Sequence, residues 1–164
     1  MKRFFVFIIL AAMLLGGCGS QGQQMKEPVT FYYLRDQYRY GNSQSIMDGE
    51  EREVSGHHGD LRYLMALYLL GPSSEELRCP LPLGTRILSA EQEDGRITLT
   101  LSEVPASMTD TTFSLACACL SRTCLSLTEA DSVTVISGSR SITMDANNLV
   151  LTDNLQNSET EETQ

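Results

Sequence analysis

Apolar positions along the chain fall into blocks whose spacing changes from one stretch to the next. Phe4 to Leu14 is an unbroken apolar run, preceded by Lys2 and Arg3 and followed at once by Leu15-Gly16-Gly17-Cys18. Val29-Thr30-Phe31-Tyr32-Tyr33-Leu34 is β-branched and aromatic, which predicts a first strand. Asp36 to Gly59 has neither a helical nor a strand period, and its apolar residues are sparse (Ile46, Met47, Val54). A long loop is expected there, with one short strand around Arg52 to Val54. Leu61, Leu64, Met65 and Tyr68 then recur at helical spacing. Asp60 can accept the free N–H groups of that helix's first turn. Gly71 suits a left-handed stop, and Pro72 cannot continue the helix.

Downstream, Pro80 and Pro82 stiffen the chain ahead of Gly84-Thr85 and the apolar pair Ile87-Leu88. Ile97, Leu99 and Leu101 alternate with Thr98, Thr100 and Ser102, the period of a half-buried strand. Asp94-Gly95 is a tight-turn signal, so Ile87–Ser89 and Ile97–Leu101 are expected to pair as a hairpin. After Pro105, Thr109 or Asp110 can cap a second helix whose Phe113, Ala116, Cys117, Leu120 and Cys124 share a face. Ser132 to Ile136 reads as a final central strand, turned back at Ser137-Gly138-Ser139. Asn147 to Leu155 is a candidate edge strand, and Ser158 to Gln164 is an acidic tail without the apolar content to fold.

The order helix, Gly71-Pro72, polar loop, then Pro80-Leu81-Pro82-Leu83-Gly84-Thr85 before an apolar strand resembles the GerMN domain of sporulation and germination lipoproteins. Cys79 stands where that family commonly has Ser. The Asp94-Gly95 turn and Ser126-Leu127-Thr128, in place of a common Thr-Leu-Thr, extend the resemblance over roughly Phe31 to Ser141. Ser137-Gly138-Ser139 departs from the Asp-Gly that many members carry at that turn. One copy is present. The resemblance implies an α+β fold, a small mixed sheet with two helices packed on one face, similar to the ring-building motifs of secretion and sporulation assemblies.

The start of the chain adds an address. A positive n-region, a short apolar run and small residues before Cys18 form a lipoprotein signal. The run is shorter than the ~20 residues of a spanning helix. Residues 1–17 are therefore expected to leave as a signal peptide. Cys18 is the expected site of lipid attachment, carrying a diacylglyceryl thioether with acyl chains such as palmitate. Residues 18–28, with Gly19-Ser20-Gln21-Gly22-Gln23-Gln24, form a leash; 29–145 form the single domain, and 146–164 hold the edge strand and tail. The expected location is the extracytoplasmic face of the bacterial cell membrane, with the acyl chains as the hold on the bilayer.

Charge narrows the partners. The formal charge is −9 over the whole chain; loss of Lys2 and Arg3 with the signal makes it −11. Such a module is not drawn to nucleic-acid phosphates or anionic lipid. Self-repulsion opposes self-association, so the expected partner is another protein with a basic face, which the resemblance implies belongs to the spore or envelope machinery, and a homo-oligomer is expected to be weak.

Candidate chemistry is sparse. On one helix Cys117 and Cys119 point about 200° apart, while Cys117 and Cys124 share a face but lie about 10.5 Å apart along the axis. A disulfide needs Cα atoms within about 7 Å. Cys79 can pair with one of the three, and core burial as small hydrophobes is the plainer reading. His57-His58 sits in a polar loop near Asp60, where adjacent side chains point apart. Glu50-Glu51 and Glu75-Glu76 read as surface. With no nucleophile, base and orienter in an evident pattern, no enzyme, catalytic residue, metal site or cofactor is expected. A non-enzymatic scaffold or protein-interaction module is the expected function. The alternative is a lipid-anchored binding protein for a small ligand or cell-wall fragment, in which a pocket lined by polar groups would be found.

Overall fold

A computed structural model describes residues 28–36, 45–54, 56–147 and 149. The signal run, Cys18, the leash, Tyr38, Tyr40, the acidic tail and nearly all of the candidate edge strand lie outside the described residues. Among the described residues nine elements follow in order: β1 (Pro28–Arg35), β2 (Met47–Glu53), α1 (Leu61–Tyr68), β3 (Leu77–Arg78), β4 (Ile87–Glu93), β5 (Arg96–Leu101), α2 (Asp110–Leu127), β6 (Ser132–Ser137) and β7 (Arg140–Asp145). The α+β class stands, but the strands divide into two sheets, where a single small sheet was expected. One has the order β2-β1-β3, the other β4-β5-β6-β7. All neighbours are antiparallel except β5 and β6, which run parallel with α2 as their crossover.

The split into two sheets follows from α2. Its stretch Ala116-Cys117-Ala118-Cys119-Leu120-Ser121 is buried at six successive positions. A helix buried all round must have neighbours on more than one side. Here α2 packs on β1 of the smaller sheet and on β6 and β7 of the larger one, while α1 packs on β4. The single sheet expected is therefore two, with both helices packed on the larger one. Small side chains between Thr109 and Arg122, none of them charged after Asp110, let the two sheets approach the helix.

β1 shows how closely α2 is fitted. Its odd-numbered residues Val29, Phe31 and Tyr33 are buried in the core. One edge of β1 pairs with β2 along its length, but β3 covers the other edge only at Leu34 and Arg35. The uncovered groups there are taken by α2: Thr123 Oγ1 accepts from Tyr32 N at 2.9 Å, and Ser126 Oγ donates to Thr30 O at 3.1 Å. Two helix hydroxyls thus complete a strand edge that would otherwise be an unpaired template.

β2 replaces the expected long loop with its short strand. It spans seven residues, reading Met-Asp-Gly-Glu-Glu-Arg-Glu, and carries no apolar alternation. Its inner positions are held by charge. Arg52 lies over the Phe31 and Tyr33 rings, 5.5 Å and 5.9 Å from their centroids, so its aliphatic stem and guanidinium cover the core as an apolar residue would. Charged residues on an edge strand also discourage pairing with other chains.

The turns match their sequence signals. Asp60 caps α1 by accepting from Tyr63 N at 2.9 Å, and Gly71 ends that segment at φ +86°. Asp94 and Gly95 both have positive φ (48° and 73°), the two-residue turn that suits the twist of the β4–β5 hairpin. Thr109 caps α2, accepting from Thr112 N at 3.2 Å.

The stacked pair Tyr33 and Tyr68 forms the centre of the core, with ring centroids 4.6 Å apart and Tyr33 Oη donating to Tyr68 O at 2.9 Å. Tyr68 Oη is buried without a hydrogen-bond partner among the described residues. Burying an unmade hydroxyl costs about 1–3 kcal/mol. Tyr68→Phe is therefore expected to raise stability by about 1 kcal/mol, and Tyr33→Phe, which breaks a bond that is made, to lower it by a similar amount. Urea midpoints of the two variants check the opposite signs.

Candidate functional site

The four cysteines of the described residues are free thiols. Cys117, Cys119 and Cys124 are wholly buried, and Cys79 is half-buried after β3. Cys117 and Cys124 lie in the core as their shared face requires. Cys119 is buried on the opposite side of the same helix, because the smaller sheet is there. Cys124 Sγ approaches Met65 Sδ at 3.6 Å, fastening α2 to α1. Burial pushes all three helix thiols up to about 12, and pushes Cys79 up as well. A thiol held so far above neutrality is a poor nucleophile and a poor metal ligand. Among the described residues no three His, Cys, Asp or Glu side chains are grouped to hold a metal ion.

His57 and His58 part company as adjacent loop residues do. His57 stacks on Tyr63, ring centroids 4.1 Å apart, while His58 lines a surface recess. Asp60 is occupied as the cap of α1. Glu51, Glu75 and Glu76 are exposed. Glu50 departs from the surface reading, with a side chain only 13% exposed. Its carboxylate accepts from Arg52 Nε and Nη2 at 2.7 and 2.6 Å, from Ser73 N at 2.8 Å and from Ser74 N at 2.9 Å. Arg52 Nη2 also donates to Gly71 O. Burial acts to raise the Glu50 carboxyl, but bonds from Ser74 N, the Arg52 side chain and Ser73 N outweigh it and hold the group below its ordinary value. One ion pair on the edge strand β2 therefore ties down the Gly71-Pro72 loop. The sequence offered no sign of it beyond charges at positions 50 and 52, one on each side of Glu51.

Arg140 plays a similar part at the other edge. Its guanidinium sits 4.1 Å from the Phe113 ring centroid and donates to Met108 O, Thr109 O and Asp110 Oδ1 at 3.0, 3.2 and 2.9 Å. It locks β7 to the start of α2.

Two surface features remain. The recess that His58 lines encloses about 270 Å³ between the start of α1, the end of β4 and the end of α2; Leu61, Leu64 and Leu127 supply its apolar wall, with Gln92 and Glu129 among its polar residues. The second feature is the turn Pro82–Thr85. Thr85 N and Oγ1 both donate to Pro82 O, at 3.2 and 2.7 Å, and Gly84 takes φ +87°. Leu83 stands on that closed turn fully exposed. Sequence reasoning placed it within the Pro80–Thr85 motif and did not single it out. No helix among the described residues is long and apolar enough to cross a membrane.

No family model matches the chain, and no curated protein matches it. Solved structures similar to it include two. One is the tandem GerMN domains of the sporulation protein GerM from Bacillus subtilis, at 20% identity and a TM-score of 0.48, over 70% of this chain and 39% of that one. The chain thus spans well under half the length of that structure. The other is a candidate lipoprotein from Clostridium perfringens, at 18% identity and a TM-score of 0.47, over 74% of this chain and 89% of that one.

Proposed function

We propose that the chain is a lipid-anchored extracytoplasmic module that works without catalysis, as a scaffold or protein-interaction domain of the GerMN type, in sporulation, germination or envelope assembly. The observation that carries this reading is where the reactive and charged groups are spent. The three helix thiols are buried and protonated, and Arg52, Glu50 and Arg140 hold strands and loops in place. What such a domain offers to the outside is a rigid surface. A small-ligand reading takes second place, because the recess falls below the roughly 300–1,000 Å³ of typical ligand pockets.

Anchoring is tested by Cys18→Ala in the full chain. The variant is expected to lose acyl label and to stay at precursor size. Maturation to the wild-type size with acyl chains attached would sink the lipoprotein reading. The interaction role is tested by purifying the lipidated protein from sporulating and from vegetative cells, with a defined co-purifying set expected in one state only.

A further inference from the structure

We infer that Cys79 and Cys119 form a dithiol that closes to an intramolecular disulfide when the domain meets an oxidising disulfide, stapling the end of β3 to the middle of α2. The inference rests on the extracytoplasmic reading only for the supply of oxidant, since disulfides persist outside the cytosol.

The edge of β1 brings the two thiols together. Its even-numbered residues turn their backbone groups to that edge one after another. Thr30 O meets Ser126, Tyr32 N meets Thr123, Leu34 pairs with Arg78, and Asp36 N meets Glu76 O. Cys119, Thr123 and Ser126 lie at i, i+4 and i+7 on α2, hence on one face. Two residues along a strand cover about 7 Å, and four along a helix about 6 Å. Since Thr123 stands at Tyr32, Cys119 stands at Leu34, the level where β3 takes over the edge. Cys79 follows Arg78 directly, and the continued register sets it level with Tyr33. The helix thus meets the end of β3 through Cys119, and the next residue of the chain there is Cys79.

The electrostatics agree. After burial, the Cys79 thiol is what pushes Cys119 up, and the neighbouring Arg78 guanidinium pulls it down. Cys79 also acts on Tyr33, and both thiols act on Tyr68, so they flank the stacked tyrosine pair. The other two cysteines face elsewhere. Cys124 Sγ rests on Met65 Sδ at 3.6 Å, and Cys117 feels Arg140 from β7.

Access sets the order of events. Cys79 is half-buried and the other three are wholly buried. A hydrogen bond from the Leu81 backbone offsets part of the rise that burial imposes on Cys79. The Cys79 thiolate attacks one sulfur of the external disulfide and releases the first thiol. Cys119 sulfur then displaces the second from the mixed disulfide. Two electrons and two protons pass to the external disulfide, which leaves as two thiols. Cys119 is weak as a nucleophile, and its place beside Cys79 substitutes for reactivity. In the oxidised form Cys119 no longer titrates, so of the helix thiols only Cys117 and Cys124 respond to alkali.

The test treats the full lipidated chain, in detergent, with glutathione disulfide, then alkylates it in denaturant and maps its peptides by fragmentation. Cys79 is expected to be linked to Cys119, with Cys117 and Cys124 alkylated. The bond closes a loop of about 40 residues and is expected to lower the unfolding constant about a hundred- to a thousandfold, read as a higher urea midpoint that dithiothreitol reverses. Cys79→Ala and Cys119→Ala are each expected to abolish the difference between the oxidised and reduced midpoints. Cys79 bonded to Cys117 or Cys124, Cys79 left free or capped by glutathione, or a midpoint indifferent to dithiothreitol would overturn the inference. None of those results touches the anchoring reading, which Cys18→Ala tests separately.

Discussion

Titration to alkaline pH is expected to unfold the domain steeply between about pH 9 and 12. Cys117, Cys119 and Cys124 are each raised from an ordinary value of 9.0 to about 12, chiefly by burial. Their folded pKa lies above the unfolded one, so the stability linked to them is fully present below pH 9 and is lost as the pH rises toward 12. Over that window each thiol costs about 1.4 kcal/mol per pH unit, and three acting together cost about 4. Tyr33 and Tyr68, raised by burial from 10.0, act in the same direction at higher pH. Against a total stability of about 5–15 kcal/mol, two to three units of pH are enough to unfold the protein. Urea midpoints from pH 7 upward check this, with the three cysteines changed to Ala as the control. A wild-type profile no steeper than the control's would mean that the thiols are not sequestered.

Arg52→Ala is expected to cost about 3 kcal/mol, the low end for breaking a buried ion pair, since 19% of the Arg52 side chain remains exposed. The change strips the cover from Phe31 and Tyr33, leaves the Glu50 carboxylate with only the Ser73 and Ser74 amides, and frees Gly71 O. Loss should concentrate in the Gly71–Ser74 loop, which hydrogen exchange would read as raised exchange there ahead of the other elements. Uniform acceleration across all strands would mean that Arg52 serves the core alone. Acid acts on the same link. The Glu50 pKa is held below 4.5 when folded, so its contribution is present above that pH and is lost as the pH falls through the folded value.

Much of this fold is legible in the chain because local rules and tertiary needs agree. Asp60, Gly71, Asp94-Gly95 and Thr109 each carry a conformation that few other residues take as readily, and each is found doing so. β2 was not legible. Its inner face is built from Arg52 and Glu50, and a strand whose cover is a guanidinium has no period-two apolar signal. β3 is two residues long, too short to leave a pattern. Cys119 pointed away from the presumed core because the helix was placed against one sheet; only the fold supplies the second. The recess joins residues from His58 to Glu129, and no spacing rule connects them. Nothing in the sequence marked Leu83 as exposed; that is decided by the turn that carries it.

The two hydroxyls of α2 that finish the edge of β1 also set a timetable. A chain emerging from its N-terminus exposes Thr30 and Tyr32 long before Thr123 and Ser126 arrive, Thr123 lying 91 residues after Tyr32. At about 5–20 residues per second that interval is roughly 5 to 20 s. Through it the edge of β1 lacks the two hydroxyls that finish it, in a form that other emerging chains can join. The domain's hazard therefore lies in its first half, and the cure is encoded in its second. Any truncation before Ser126 would leave a product with a permanent sticky edge.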